Sequence, residues 1–379
     1  MDESTSQENG HYIMPLPFKE TPSLPNNRSN AMKRFRSLER KLHSDPQLNT
    51  KYREFMEDII AKGEAEISNS SHPGWYIPHF GVSHPLKPDE LQVVFDCSAV
   101  YRGHSLNQHL LQGPDLNNNL TGLLCRFRKE KVALTCDIRR MFHQFRVAKN
   151  DRRFLRFLWY DSPNSDRVVD YQMKVHLFGA ASSPSCAIYG LKRLAKDYSS
   201  EYPSASSFIQ ENFYVDDGLI SLPTAEAVIK LANEAKELAN KGSLVLHKFL
   251  SNSPEVAAAL GCDNPAMKDL ESDPMIASAL GLSWDISHDT FRFSDHVADK
   301  PATRRGILST VASVFDPLGL LTPFTLLGKL LVQELCREKK GWDERLSPDQ
   351  LQKWNAWLGN LVSLQSFSVP RCVLGSLST

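Results

Sequence analysis

The chain has 379 residues, with 44 Lys plus Arg balancing 44 Asp plus Glu, a formal net charge of zero. Grip on nucleic acid or membrane by bulk charge alone is thereby excluded, while 41% hydrophobic residues suffice for a sizeable core. No apolar signal region opens the chain, and its most apolar late stretch, 306–336, is broken by Asp316, Pro317, Pro323 and Lys329, too often for a membrane span.

In chain order, residues 1–25 read by composition as a disordered tail. Residues 30–62 read as two helices broken at Asp45-Pro46, with Phe35, Leu38 and Leu42 on one face and Tyr52, Phe55, Met56 and Ile59 on the other helix's face. Residues 76–82 and 91–95 are expected strands joined by the loop 83–89, followed by a strand at 131–137. Strands at 154–160 and 167–175 flank a turn-rich hairpin loop, and a helix then starts at Ser183-Pro184. A hairpin of 212–215 and 218–222 is expected to turn at Asp216-Asp217. A helix over 224–241 stops at Gly242; strands follow at 244–250, 279–284 and 290–293. Residues 301–362 read as helical with a break at Asp316-Pro317-Leu318-Gly319. Interleaved helices and hairpins make the fold class α+β.

Seven scattered cysteines without a CxxC pair imply reduced thiols and an intracellular, cytoplasmic setting. His72, His79 and His84 are expected at the surface or in packing, since no Cys or paired acid stands at ligand spacing. Chemistry is carried instead by Asp137, ending an apolar strand, and by Asp216 and Asp217 on a tight turn. Adjacent carboxylates repel, and an oxygen-only donor set of this kind suits Mg²⁺, with Mn²⁺ as the alternative. Two such ions form a clamp for in-line displacement at phosphorus. Taken alone, an Asp-Asp-Gly turn is equally an ordinary hairpin turn.

The segments VVFDCSA (93–99), CDIRRMFHQF (136–145), HLFGAASSP (176–184), NFYVDDG (212–218), LHKFLSNS (246–253), ALGLSWD (279–285) and TRRGILSTVASVFDPLGL (303–320), in this order, resemble the reverse transcriptases of retroelements, and most closely the Bel/Pao group of long-terminal-repeat retrotransposons. The resemblance spans roughly residues 10–372. It implies a right-hand polymerase of fingers (26–130), palm (131–285, an antiparallel sheet backed by helices) and a helical thumb or connection (286–379), ending before ribonuclease H. The implied partners are an RNA or DNA template with its primer and deoxynucleoside triphosphates, with no membrane.

Residue by residue, the resemblance makes Asp137, Asp216 and Asp217 the ligands of two Mg²⁺ ions, and Lys248 the lysine that protonates leaving pyrophosphate. It makes Phe142 the steric gate against a ribose 2′-hydroxyl, and Phe178 and Gly179 the segment under the incoming sugar. Gly281, Leu282, Ser283 and Trp284 become the primer grip. On the residues alone, Phe142 also fits a plain core position and Lys248 a surface one. Gln92 stands where relatives carry a triphosphate-binding Arg, with Lys87 five residues earlier as a partial substitute. A neutral amide holds phosphate less strongly than a guanidinium, so a template-primer-binding fold without synthesis is the rival reading. A nucleotide cyclase on a similar palm is disfavoured by the missing paired glycines. Residues 121–160 carry 11 Lys or Arg and 3 acids, whereas 201–300 carry 7 and 16, so the neutral total conceals a basic and an acidic stretch.

Overall fold

The computed structural model describes all residues except 1, 70, 71, 85, 86, 164, 263–275, 294–299 and 375–379. They fall into two units, Met1–Asn117 with Ile138–Tyr202 and Lys236–Val245, and Asn118–Asp137 with Pro203–Ala235 and Leu246–Thr379. The units interleave along the chain, so the contiguous blocks 26–130, 131–285 and 286–379 are not the structure's own divisions. Apart from the ribbon His79–His84 and Lys87–Phe95, each sheet joins strands distant in sequence, which contiguous reading cannot anticipate.

In the first unit, the helices Arg28–Ser44 and Pro46–Ala61 meet at Asp45, whose carboxylate caps the second by accepting from the Leu48 N–H. Phe35, Leu38, Leu42, Tyr52, Met56 and Ile59 are buried as their spacing requires. They pack with the sheet Ala65–Ile67, Val168–Met173 and Arg156–Tyr160 and with the ribbon His79–His84 and Lys87–Phe95, which takes up most of the expected loop 83–89. The expected tail is ordered: Ser6–Glu8 pairs with His11–Met14, which runs parallel to Arg146–Val147. Tyr12, Met14 and Leu16 are buried there, an alternation that averaging over 25 polar residues hides.

His79 is indeed a packing residue. Its Nε2 donates to the Leu158 carbonyl at 3.0 Å, which leaves Nδ1 to accept from the Tyr52 hydroxyl at 2.6 Å. Full burial pushes its pKa from 6.5 down to about 4. Between those values the unfolded chain binds the extra proton, so stability is lost as pH falls from about 6.5 toward 4. His79→Gln keeps a donor without a titrating ring. Its urea-unfolding free energy is expected to lose less, by about 3 kcal/mol at full effect, on acidification across that window. Identical acid slopes for variant and parent would show that His79 does not drive the loss.

In the second unit, one sheet orders Phe213–Tyr214, Asp217–Leu222, Val132–Ile138 and Leu246–Ser251, and another orders Ile276–Ala279, Leu282–Asp285, Thr290–Arg292 and Ser368–Pro370. The expected single strand 279–284 is a hairpin, with Ala279 opposite Leu282 and both Leu280 and Gly281 at positive φ, the two-residue turn that matches strand twist. A Cβ on Gly281 would also stand 2.8 Å from the Phe315 ring. The late helices are Arg304–Ser313, Thr322–Arg337 and Pro348–Leu361; Trp354 and Trp357 stack at 5.0 Å beside Phe324. The helix Pro203–Asn212 went unforeseen, its apolar face being only Ala205, Phe208 and Ile209. Among the described residues no helix is long and apolar enough to cross a membrane.

Candidate active site

Three of the sequence-predicted carboxylates come together in the second unit. Antiparallel pairing sets Asp217 directly opposite Asp137, and Tyr214 opposite Asp217 leaves Val215 and Asp216 as the turn. The turn therefore lies one residue before the expected Asp216-Asp217. Val215 carries it at φ 56°, a left-handed conformation that a β-branched side chain disfavours and that marks stored strain. Gly218 is needed for space, since a Cβ there would stand 2.6 Å from the Phe213 ring and 2.8 Å from Cys136 Sγ.

Burial, and then the neighbouring Asp216 and Asp137, push the Asp217 pKa up to about 6. Asp216 is raised too, first by burial and also by Asp137. Lys248 donates from Nζ to Asp137 Oδ2 at 2.8 Å, and His247 Nε2 lies 3.1 Å from Asp137 Oδ1. The hydrogen bond to Asp137 raises the Lys248 pKa, holding it as an ammonium among acids. Lys248 reaches this position from a strand in which its own φ is 51°. His247 was not anticipated; its place next to Lys248 on a strand beside Val132–Ile138 was the available signal.

Among the described residues, no three His, Cys, Asp or Glu side chains form a ready metal cage. The donor chemistry fits divalent magnesium all the same. Burial first, and the neighbouring like charges after it, make two carboxylates hold their protons abnormally tightly, and a hard cation offsets that negative charge as a proton does.

The Gly281–Trp284 segment lies in the hairpin just described, in the same unit. Trp284 is fully buried, and its indole Nε1 donates to Asp289 Oδ1 at 3.0 Å. The fully buried Arg371 grips the same carboxylate through Nε at 2.6 Å and Nη2 at 2.8 Å. It also donates to the carbonyls of Phe127, Glu130 and Lys131, just before the strand that bears Asp137. Arg371, a lone cation after a proline, gave no sequence signal for this role.

Phe142, Phe178, Gly179 and Gln92 belong to the first unit. Phe142 and Phe178 meet edge to face, ring centroids 6.0 Å apart, with Phe178 54% exposed. Gly179 has φ 105°, and a Cβ would stand 2.9 Å from the Phe95 carbonyl oxygen, so glycine is required. Asn107 brackets this turn, donating to the Gly179 carbonyl at 3.0 Å and accepting from the Ala181 N–H at 2.8 Å. The short helix Met141–Gln144 holding Phe142 is anchored by Arg140 and His143, both 2.7 Å from Glu64 Oε2. Gln92 stands opposite Val82 in the ribbon, and Lys87 opposite His84; the side chain of Lys87 lies outside the described residues.

Residues 303–379 match the family profile described as the Pao retrotransposon-like RNaseH-like domain. No curated protein matches the chain. Among solved structures, it is similar to a foamy viral protease-reverse transcriptase in complex with double-stranded DNA, at TM-score 0.53 and 13% identity over 83% of this chain and 47% of that one. It is likewise similar to a foamy viral protease-reverse transcriptase in complex with an RNA/DNA hybrid, at TM-score 0.51 and 14% identity over 83% of this chain and 36% of that one. The chain thus spans less than half the length of either. The mixed α/β fold resembles that of these foamy viral protease-reverse transcriptases. That family match falls on residues 303–379, the stretch expected to be a helical thumb or connection ending before ribonuclease H.

Proposed function

We propose that the chain is an RNA-directed DNA polymerase segment that extends a primer 3′-hydroxyl with deoxynucleoside triphosphates. The observation that carries this reading is the carboxylate group itself: Asp217 faces Asp137 across a strand pair while the strained Val215 turn presents Asp216 beside them. Asp137, Asp216 and Asp217 would hold two magnesium or manganese ions. Those ions supply activation of the attacking hydroxyl and charge stabilisation at the leaving pyrophosphate. Lys248 keeps a proton close to the carboxylates, available to the departing pyrophosphate. Phe142 and its ring partner Phe178 would act against a ribose 2′-hydroxyl, and Gly281–Trp284 would serve as the primer grip. Purified protein is expected to extend oligo(dT) on poly(rA) with Mg²⁺ or Mn²⁺, and absence of extension by folded protein in both metals refutes the proposal.

The RNaseH-like match favours a nuclease as a second reading. The acids of that region argue against it. Asp316 accepts from the Leu320 and Leu321 N–H groups, and Glu334 pairs with Lys353. Glu338 accepts from Gln350, Asp343 pairs with Arg305, and Glu344 accepts from the Gly341 N–H. Carboxylates spent separately on caps and ion pairs do not converge on a shared cation. A metal-dependent loss of the RNA strand from an RNA/DNA hybrid, without extension, is the outcome that would favour the nuclease.

The reading without synthesis rests on Gln92, and substitution separates the two. Gln92→Arg is expected to raise kcat/KM for the incoming triphosphate roughly tenfold, the difference between a neutral and a charged hydrogen bond to phosphate. Steady-state extension with varied dNTP checks this; an unchanged or lower value removes Gln92 from the triphosphate site.

A further inference from the structure

A cavity of about 600 Å³ lies at the start of the Arg304–Ser313 helix, within the second unit. Ala302, Leu346 and Leu351 give it apolar walls, and Lys300, Arg305 and Arg345 line it with cations. Beside it stands Trp342, 45% exposed although an indole of this size is usually buried. Its backbone is fixed, since the Trp342 carbonyl accepts from the Arg305 N–H at 3.0 Å and Thr303 bridges to Arg345. Its ring is fixed as well. The Arg304 guanidinium stacks on it at 4.1 Å and that of Arg305 approaches at 5.7 Å.

Arg304 is held over the indole by donating from Nη1 to the Lys340 carbonyl at 3.0 Å, while its Nε is buried without a hydrogen-bond partner. Arg305 is neutralised by Asp343 through two hydrogen bonds of 2.8 and 3.0 Å. Lys300, Arg304 and Arg345 have no carboxylate partner among the described residues. A rigid, partly open aromatic surface, a cavity of ligand size and three uncompensated cations therefore share one small region.

We infer that this region binds a segment of single-stranded nucleic acid, one base stacking on Trp342 and the adjoining phosphates lying against Lys300 and Arg345. Stacking needs an open base face, which a duplex hides and a single strand presents; the cations need a polyanion. An acidic peptide or inorganic polyphosphate satisfies the charge and leaves the indole without a purpose. The inference rests on the reading of the chain as a nucleic-acid enzyme, and adds a site for the unpaired part of its substrate, remote in sequence from the carboxylates at 137, 216 and 217.

The test is fluorescence anisotropy of a labelled short oligo(dT) and of a labelled blunt duplex of equal length, with full-length protein whose folding is checked by circular dichroism. Trp342→Ala is expected to weaken oligo(dT) binding roughly tenfold, the loss of one base–aromatic stack, and duplex binding less than twofold. Trp342→Phe, which keeps an aromatic face should the alanine variant fail to fold, is expected to retain most of the oligo(dT) affinity. Arg345→Ala is expected to lower the salt dependence of oligo(dT) binding by about one charge. Equal oligo(dT) affinity in Trp342→Ala and wild type overturns the inference. So does equal weakening for both ligands, which marks a plain cationic surface, or displacement by polyphosphate that is the same in every variant. Trp342-dependent oligo(dT) binding by a protein that extends no primer would refute the polymerase reading and leave this site standing.

Discussion

Asp216→Asn is expected to abolish primer extension, lowering kcat by at least about a thousandfold, while leaving the protein no less stable than its parent. Both halves follow from the same geometry. An amide keeps the shape of the carboxylate but lacks the charge on which a divalent cation depends. Yet Asp216 is destabilised as an anion in the fold, by burial and by the charge of Asp137, so neutralising it relieves repulsion. An inactive variant is ordinarily open to the objection that it is misfolded, and equal or higher resistance to urea removes that objection. The companion Asp137→Asn is expected to be equally inactive and less stable, because the amide keeps only one of the two oxygens that Lys248 and His247 approach at 2.8 and 3.1 Å and none of the charge that pairs with the Lys248 ammonium. Residual extension within tenfold of wild type in either variant would remove these carboxylates from the chemistry.

Arg371→Met is expected to have the largest effect on stability, about 3–5 kcal/mol in urea unfolding, the usual consequence of leaving a buried charge without its partner. The guanidinium is fully buried and serves the Asp289 carboxylate and three backbone carbonyls at once. Methionine fills much of the volume and satisfies none of them. Arg371→Lys keeps the charge but not the planar fork, so it is expected to recover only part of the loss. The strand Ser368–Pro370 pairs with Thr290–Arg292, and Trp284 shares the Asp289 carboxylate with Arg371. Loosening is therefore expected in the 282–292 hairpin, read as faster amide hydrogen exchange there. A cost under about 1 kcal/mol for the methionine variant, or exchange unchanged in that hairpin, would mean that the clamp contributes little.

Much of this architecture is legible in the sequence wherever local pattern and tertiary role agree. The two early helices bury the faces their spacing marks, and the Asp45-Pro46 break supplies the cap of the second. Asp217 stands opposite Asp137, on the neighbouring strand that the reading of the carboxylates called for. Failures occur where a residue is used against its preference. The turn beside the carboxylates is placed one residue late because Asp-Gly is the stronger turn signal and valine is the residue least expected at positive φ. Gly218 looks like a turn glycine and is a packing glycine. Arg371 and His247 act across 80 residues or more, at separations of 82 and 110 from their acidic partners, where no periodicity reaches. The same distance effect hides the ordered start of the chain, since its partner strand lies far downstream.

That last feature sets a timetable for synthesis on the ribosome. His11–Met14 is made before its downstream neighbours: the strand it runs beside begins at Arg146, and the Tyr12 hydroxyl donates to Asp197, 185 residues later in the chain. At roughly 5–20 residues per second, translation leaves His11–Met14 with only its local partner Ser6–Glu8, waiting about 10–40 s for the downstream ones. During that interval Tyr12, Met14 and Leu16 are exposed on an unpaired edge, and closing so long a loop carries an entropic penalty that local helices avoid. His11–Met14 is thus made well before the strand it runs beside, a window in which chaperone capture or misassociation competes with native pairing.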